Sequence, residues 1–150
     1  AYSAKENTPV LKFSSFRNHR VNEFWDLIDT KNDSLIIEPG KFYILKSKQK
    51  IRIPKKMAGE MIPYDTAIGD FRVHYAGFFD PGFGDPSGSY AVLEVKTNEV
   101  PFILEDGQVI ARIKYEMLNK ESKMVYGSNI KSNYQNQKLA LSKHFEVSVA

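Results

Sequence analysis

The sequence predicts an all-β domain, a barrel or a sandwich, on three observations. Short apolar or alternating runs follow one another from Ser34 onward. Turns rich in Pro and Gly separate them at Asp80-Pro81-Gly82, Asp85-Pro86-Ser87-Gly88 and Glu105-Asp106-Gly107. A helical pattern is confined to one short stretch, Val21–Ile28. At 150 residues the chain can bury a single core, so one domain is expected.

The elements follow in order. Residues 1–17 carry few pattern signals and read as an arm or an edge strand. Asn18 is a candidate cap for the helix, and Asp29–Asp33 is its polar exit. Leu35-Ile36-Ile37, the turn Glu38-Pro39-Gly40 and Lys41–Lys46 read as strand, turn, strand. Lys50-Ile51-Arg52-Ile53 alternates charge with isoleucine, giving one wet and one buried face. Further strands are expected at Met57–Tyr64, Phe71–Phe79, Tyr90–Val95, Phe102–Leu104, Gln108–Leu118 and Lys123–Tyr126, with another turn at Asn119-Lys120-Glu121. The pattern then dissolves into a polar tail with no core face of its own, so the chain divides into an arm and helix (1–33), the β body (34–126) and the tail (127–150).

Composition narrows the chemistry. No apolar run approaches the ~18 residues of a membrane span, and Ala1–Val10 lacks the charged start and apolar run of a secretory leader, so a cytoplasmic protein is expected. The chain has no cysteine, which removes disulfides, thiol nucleophiles and Cys-ligated zinc. Net charge is +3, with lysines and arginines spread along the chain and no basic helix or aromatic-basic motif. Nucleic acid is therefore not the expected partner.

Glu94 is the residue that invites chemistry. It lies in the run Val92-Leu93-Glu94-Val95, where alternation groups it with Tyr90 and Val92 and sets Ala91, Leu93 and Val95 on the other face. A carboxylate among apolar neighbours is either paired with a nearby Lys or Arg, or held in a dry cleft with its pKa raised as a general base. Asp80-Pro81-Gly82 reads as a turn, with Pro presetting φ at the second position and Gly supplying φ > 0 at the third. Gly82, Gly84 and Gly88 do not fit G-x-G-x-x-G, and no helix follows them. His19, His74 and His144 lack metal-ligand spacing, and His74 reads as a hydrogen-bonded strand residue. Without cysteine the zinc-deaminase signature cannot exist, so any hydrolysis here activates water without protein-bound zinc. The tail from Tyr126 to Lys143 mixes aromatic, amide and basic side chains, as either a disordered terminus or a flap that orders over an anion.

These residues together resemble the dCTP deaminase branch of the dUTPase-like superfamily. The likeness starts at Leu35–Leu45 and continues through Ile51-Arg52-Ile53-Pro54. It is sharpest at Ala76-Gly77-Phe78-Phe79-Asp80-Pro81-Gly82-Phe83 and Val92-Leu93-Glu94, and runs on through Pro101–Ile113 to Ser132–Gln137. His74–Gly84 with Leu141–Phe145 is similar to the C-terminal half of tandem, double-length members, and a start without Met suits such a piece. The resemblance implies a distorted dUTPase-like β-barrel with one short helix and an extended tail. It also implies a homotrimer, or a pseudo-trimer with a second homologous half, and sites at the unit boundaries. The implied reaction is hydrolytic deamination of dCTP to dUTP and ammonia, with Mg²⁺ carried on the triphosphate. By position, Glu94 matches the glutamate that activates water, and Ala76 matches a backbone position beside the pyrimidine. Tyr126, Lys131, Tyr134 and Gln137 fall at or near tail positions that meet the nucleotide.

Three positions depart from that pattern. The family's Ser-Ser-x-x-Arg is replaced by Pro63-Tyr64-Asp65-Thr66-Ala67, an Arg two before the Asp-Pro-Gly by Phe78, and a tail Lys by Asn133, with Lys131 two residues away. Each lost charge-assisted phosphate contact is worth about 1.5–3 kcal/mol. Two other readings therefore stand beside deamination: a catalytically silent half that builds the trimer, and a dUTPase-type pyrophosphatase.

Overall fold

The fold comes from a computed structural model that describes residues 1–30, 33–63, 72–74, 77–128, 132 and 134–147, with the backbone alone at 63 and 72–74. Among these residues one helical turn and ten strands form three antiparallel sheets. The largest has five strands, in the order β2 (Trp25–Leu27), β1 (Tyr2–Ala4), β4 (Phe42–Ile51), β8 (Ser89–Lys96) and β6 (Arg72–His74). A second sheet orders β10 (Ala111–Met117), β5 (Met57–Pro63) and β7 (Phe78–Phe79), and a third pairs β3 (Ser34–Ile37) with β9 (Phe102–Glu105). The all-β expectation holds.

One core lies between the sheets, and alternation explains who enters it. Along β8 the inward residues Ala91, Leu93 and Val95 are buried, while Tyr90, Val92 and Glu94 alternate away from them. Tyr43 and Leu45 of β4 face Val95 and Leu93 in register. Ile37, Ile53, Met61, Phe79 and Leu104 complete the centre. Ile37 is 0% exposed, so Ile37→Ala leaves a cavity that the neighbours cannot fill. Urea unfolding should read a loss of about 2–5 kcal/mol for that variant, and a loss under 1 would contradict the packing.

Several local expectations are corrected. The helix (α1) spans only Val21–Phe24, because Trp25 is already extended (φ −134°, ψ 140°) and Trp25–Leu27 pair with β1 as a strand. A single turn is too short to hold against a ladder that also buries Phe24. Asn18 is not its cap; Arg20 is, without a side-chain bond. The arm contributes β1, and this strand lies between β2 and β4 rather than at an edge. Among the described residues 123–126 form no strand, although Val125 is buried.

The tail does find a core face. His144 and Phe145 are buried against the arm, with Phe145 packed on Phe24 and His144 stacked on Phe16. Backbone bonds tie the two ends together, from Asn18 N–H to the His144 carbonyl (3.2 Å) and from Glu146 N–H to that of His19 (2.9 Å). Two histidines distant in sequence thus become neighbours through backbone pairing and aromatic packing.

Candidate functional site

The turn ahead of β8 is built as its residues demand. Phe83 N–H donates to the Asp80 carbonyl (3.0 Å), closing a four-residue turn with Pro81 second and Gly82 third at φ +89°. Gly82 N–H reaches the Ile53 carbonyl (3.0 Å), Ile53 N–H that of Phe83 (2.9 Å), and Tyr126 N–H that of Pro81 (2.9 Å). Residues 80–84 are therefore clamped between the end of β4 and the chain at Tyr126. That clamp fixes where β8 begins.

Glu94 stands on the outer side of β8, directly opposite Ile44 of β4 and His74 of β6. Its side chain is exposed, so the described residues form no dry cleft around it. The reason is alternation: Val92 shares its face, but Leu93 and Val95, its apolar sequence neighbours, point into the core. An open cavity of about 630 Å³ between the sheets is lined by Ala91 and Leu93, and so lies on the opposite side of the strand. No ion pair or hydrogen bond to the Glu94 carboxylate is formed among the described residues, which do not include the side chains of Arg72 and His74 on the neighbouring strand.

Two lysines flank the same face. Lys46 pairs in register with Val92 and Lys50 with Tyr90, across an irregularity where Ala91 N–H donates to Ser47 Oγ (2.9 Å). The Lys46 and Lys50 ammonium groups both lie over the Tyr90 ring, 4.6 and 5.5 Å from its centroid. Neither has a carboxylate partner among the described residues, whereas Lys48 is ion-paired with Asp106. Tyr90 is four residues from Glu94, roughly 13 Å along a strand.

The tail meets this face at the Tyr90 end. Gln137 Nε2 donates to the Tyr90 carbonyl (2.9 Å), and Gln137 N–H donates to Ser89 Oγ (3.2 Å). Tyr134 is half exposed beside them, its carbonyl 3.5 Å from Ser89 Oγ. Tyr126 packs its ring on Phe83, and burial pushes its phenol above the usual tyrosine range. Hydrogen bonds with the Tyr134 backbone and the Ser132 side chain oppose that rise without cancelling it. Ala76 and Lys131 lie outside the described residues. The structure thus gathers Tyr126, Tyr134 and Gln137 at one end of β8 and leaves Glu94 at the other. Sequence reasoning passed over Gln135, whose side chain joins the tail to the turn. Its only advance signal was its place between two tail residues that the family resemblance had singled out.

The Tyr126 phenol makes a pH prediction. An acid whose folded pKa is raised keeps its proton in the fold while the unfolded chain releases it, so stability falls as pH rises past about 10. Urea unfolding between pH 8 and 11 should show a steeper alkaline loss for the unaltered chain than for Tyr126→Phe. Equal slopes would contradict the buried phenol.

Among the described residues no group of three or more His, Asp or Glu side chains is placed to hold a metal ion, and no helix is long and apolar enough to cross a membrane. The sequence matches, over residues 1–145, the family described as 2'-deoxycytidine 5'-triphosphate deaminase (DCD), C-terminal domain. It is 28% identical over 123 residues to the dUMP-forming dCTP deaminase of Mycobacterium marinum, covering 79% of this chain and 63% of that protein. Its identity to the protein of the same description from Halobacterium salinarum is 25% over 125 residues, covering 81% and 62%. Among solved structures it is similar to the 2'-deoxycytidine 5'-triphosphate deaminase of Agrobacterium tumefaciens, with a TM-score of 0.74 and 46% identity, over 80% of this chain and 37% of that one. The chain spans less than two thirds of the length of these curated relatives.

Proposed function

Because this chain belongs to the dCTP deaminase C-terminal-domain family, we propose that it supplies the Glu94 face of a site that deaminates dCTP by hydrolysis. The observation that carries the reading is the place of Glu94, on the open side of β8 and free of partners among the described residues. An exposed carboxylate is a poor general base until something dries it. The missing wall is therefore assigned to a second homologous unit, another copy or another half, which closes over β8 and brings the cations that residues 63–67 lack. Trimeric assembly, or its pseudo-trimeric equivalent, is part of the proposal, as is a cytoplasmic setting.

In the assembled site Glu94 takes a proton from water as its oxygen bonds to C4 of the cytosine. It passes that proton to the exocyclic nitrogen as the C4–N bond breaks. Ammonia leaves and a uracil nucleotide remains. Catalysis of this kind contributes on the order of 10²–10⁴-fold. The triphosphate is assigned to the face running from Lys46 and Lys50 towards the tail, where Gln137 keeps a second N–H for a ligand oxygen. Tyr126, Lys131 and Tyr134 are assigned to the same flap, and Ala76 to the pyrimidine. Mg²⁺ is the counter-ion that the triphosphate carries.

Relatives described as dUMP-forming raise the question of product. Incubation with dCTP and Mg²⁺, with ammonia measured enzymatically and nucleotides separated by anion exchange, tests reaction and product together. Ammonia with dUTP or dUMP supports the reading, and the nucleotide tells which product is made. A second reading, a silent half that builds the assembly, draws on the exposure of Glu94 and on the absent Ser-Ser-x-x-Arg. It predicts stable association and no ammonia. Pyrophosphate released from dUTP without deamination would mark the pyrophosphatase alternative.

A further inference from the structure

The Gln135 side chain makes three hydrogen bonds to the backbone of the turn that leads into β8. Its Oε1 accepts from Gly84 N–H (3.0 Å), and its Nε2 donates to the carbonyls of Gly82 (3.3 Å) and Asp85 (3.0 Å). One amide thus bonds a donor and two acceptors in a loop that is not part of any ladder, sharing the Gly82 carbonyl with Asp85 N–H (3.1 Å). Gly127 makes room for it, since a Cβ there would stand 2.7 Å from Gln135 Nε2. Asn136, at φ +55°, turns the chain in the left-handed conformation that Asn tolerates, and Gln137 then bonds Ser89 and Tyr90. Residues 135 and 137 therefore grip the two ends of the loop between the Asp80-Pro81-Gly82 turn and the strand that carries Glu94.

We infer that Gln135 is a positioning residue: it latches the tail of this chain closed on its own 82–90 loop, so that Tyr134 and Gln137 are in place before any nucleotide arrives. A surface strap of amide and hydroxyl residues has little apolar area to bury, so its closure rests on specific polar bonds. Three bonds from one partly buried side chain outweigh the one or two made by either neighbour. The inference rests on the flap reading above only for its consequence, which is tighter nucleotide binding. The latch itself is a property of the free chain.

The test uses the whole chain and the variants Gln135→Ala and Gln135→Glu. The second keeps an acceptor for Gly84 N–H but turns a carboxylate towards the Gly82 and Asp85 carbonyls. Amide exchange over Tyr134–Lys138, without nucleotide, should quicken about tenfold or more in Gln135→Ala. Exchange in the β4–β8 ladder should stay as it was. Equilibrium dialysis with dCTP and Mg²⁺ should then show Kd raised about tenfold in both variants, with turnover at saturating dCTP within about twofold of the unaltered chain. Unchanged exchange over Tyr134–Lys138 overturns the latch. Quickened exchange with unaltered dCTP affinity, or a fall in thermal midpoint as the only effect, overturns the positioning role and leaves a structural bond. Should the unaltered chain bind no dCTP, copies of this chain do not complete the proposed site by themselves, and exchange alone decides the latch.

Discussion

Gly84→Ala is expected to unfold the domain or leave it barely stable. A Cβ at this position would stand 2.1 Å from the Ile51 carbonyl oxygen and 2.9 Å from Ser89 N, and both obstacles are backbone. The residue also holds φ +74°, in the left-handed region that costs an L side chain about 1–2 kcal/mol by itself. Relief would require β4 and β8 to move apart where they begin to pair, and that pairing holds the centre of the core. A loss of about 4 kcal/mol or more follows, in the exceptional class for one substitution. Gly40→Ala is the control. It shares the conformation at φ +77° but has nothing within 4 Å of the added carbon, so it should cost only about 1 kcal/mol. Urea unfolding of the two variants separates crowding from backbone strain. Similar losses would show that the 84–89 turn has room to give.

The second large effect is on reaction rather than fold. Glu94→Gln should lower ammonia release from dCTP by on the order of 10²–10⁴-fold. Because the side chain is exposed in the single chain, unfolding stability should stay within about 0.5 kcal/mol. A carboxylate that served only to hold the sheet together would show the reverse: lost stability with whatever activity the unaltered chain has. The amide keeps shape and removes the base, so the contrast between the two measurements assigns the role.

Much of this structure was legible in the chain, and the reasons for success and failure are physical. Alternation along Tyr90–Val95 identified which side chains share a face, because the period of two is intrinsic to a strand. The Asp-Pro-Gly turn was legible for an equally local reason: Pro81 and Gly82 impose its dihedral angles. What alternation does not reveal is which face water covers. Apolar neighbours on both sides of Glu94 suggested a dry setting, yet Leu93 and Val95 alternate away from it into the core. The apolar spacing of Val21–Ile28 suits a helix longer than the one that forms, because the partner that claims Trp25–Leu27 is a strand more than twenty residues earlier. Long-range side-chain bonds leave no mark in the pattern. Gln135 binds a loop some fifty residues upstream, and nothing in its neighbourhood announces a latch. The buried pair His144–Phe145 escaped for the same reason, since its burial comes from packing on the distant Phe16 and Phe24.

The central claim is that Glu94 becomes a catalytic base when a second unit covers β8. Ammonia release from dCTP, measured across a range of protein concentrations alongside sedimentation velocity, tests it most directly. Specific activity should rise in step with the associated fraction and should vanish at every concentration in Glu94→Gln. An associated chain that releases no ammonia, or release that survives the loss of the Glu94 carboxylate, would contradict it.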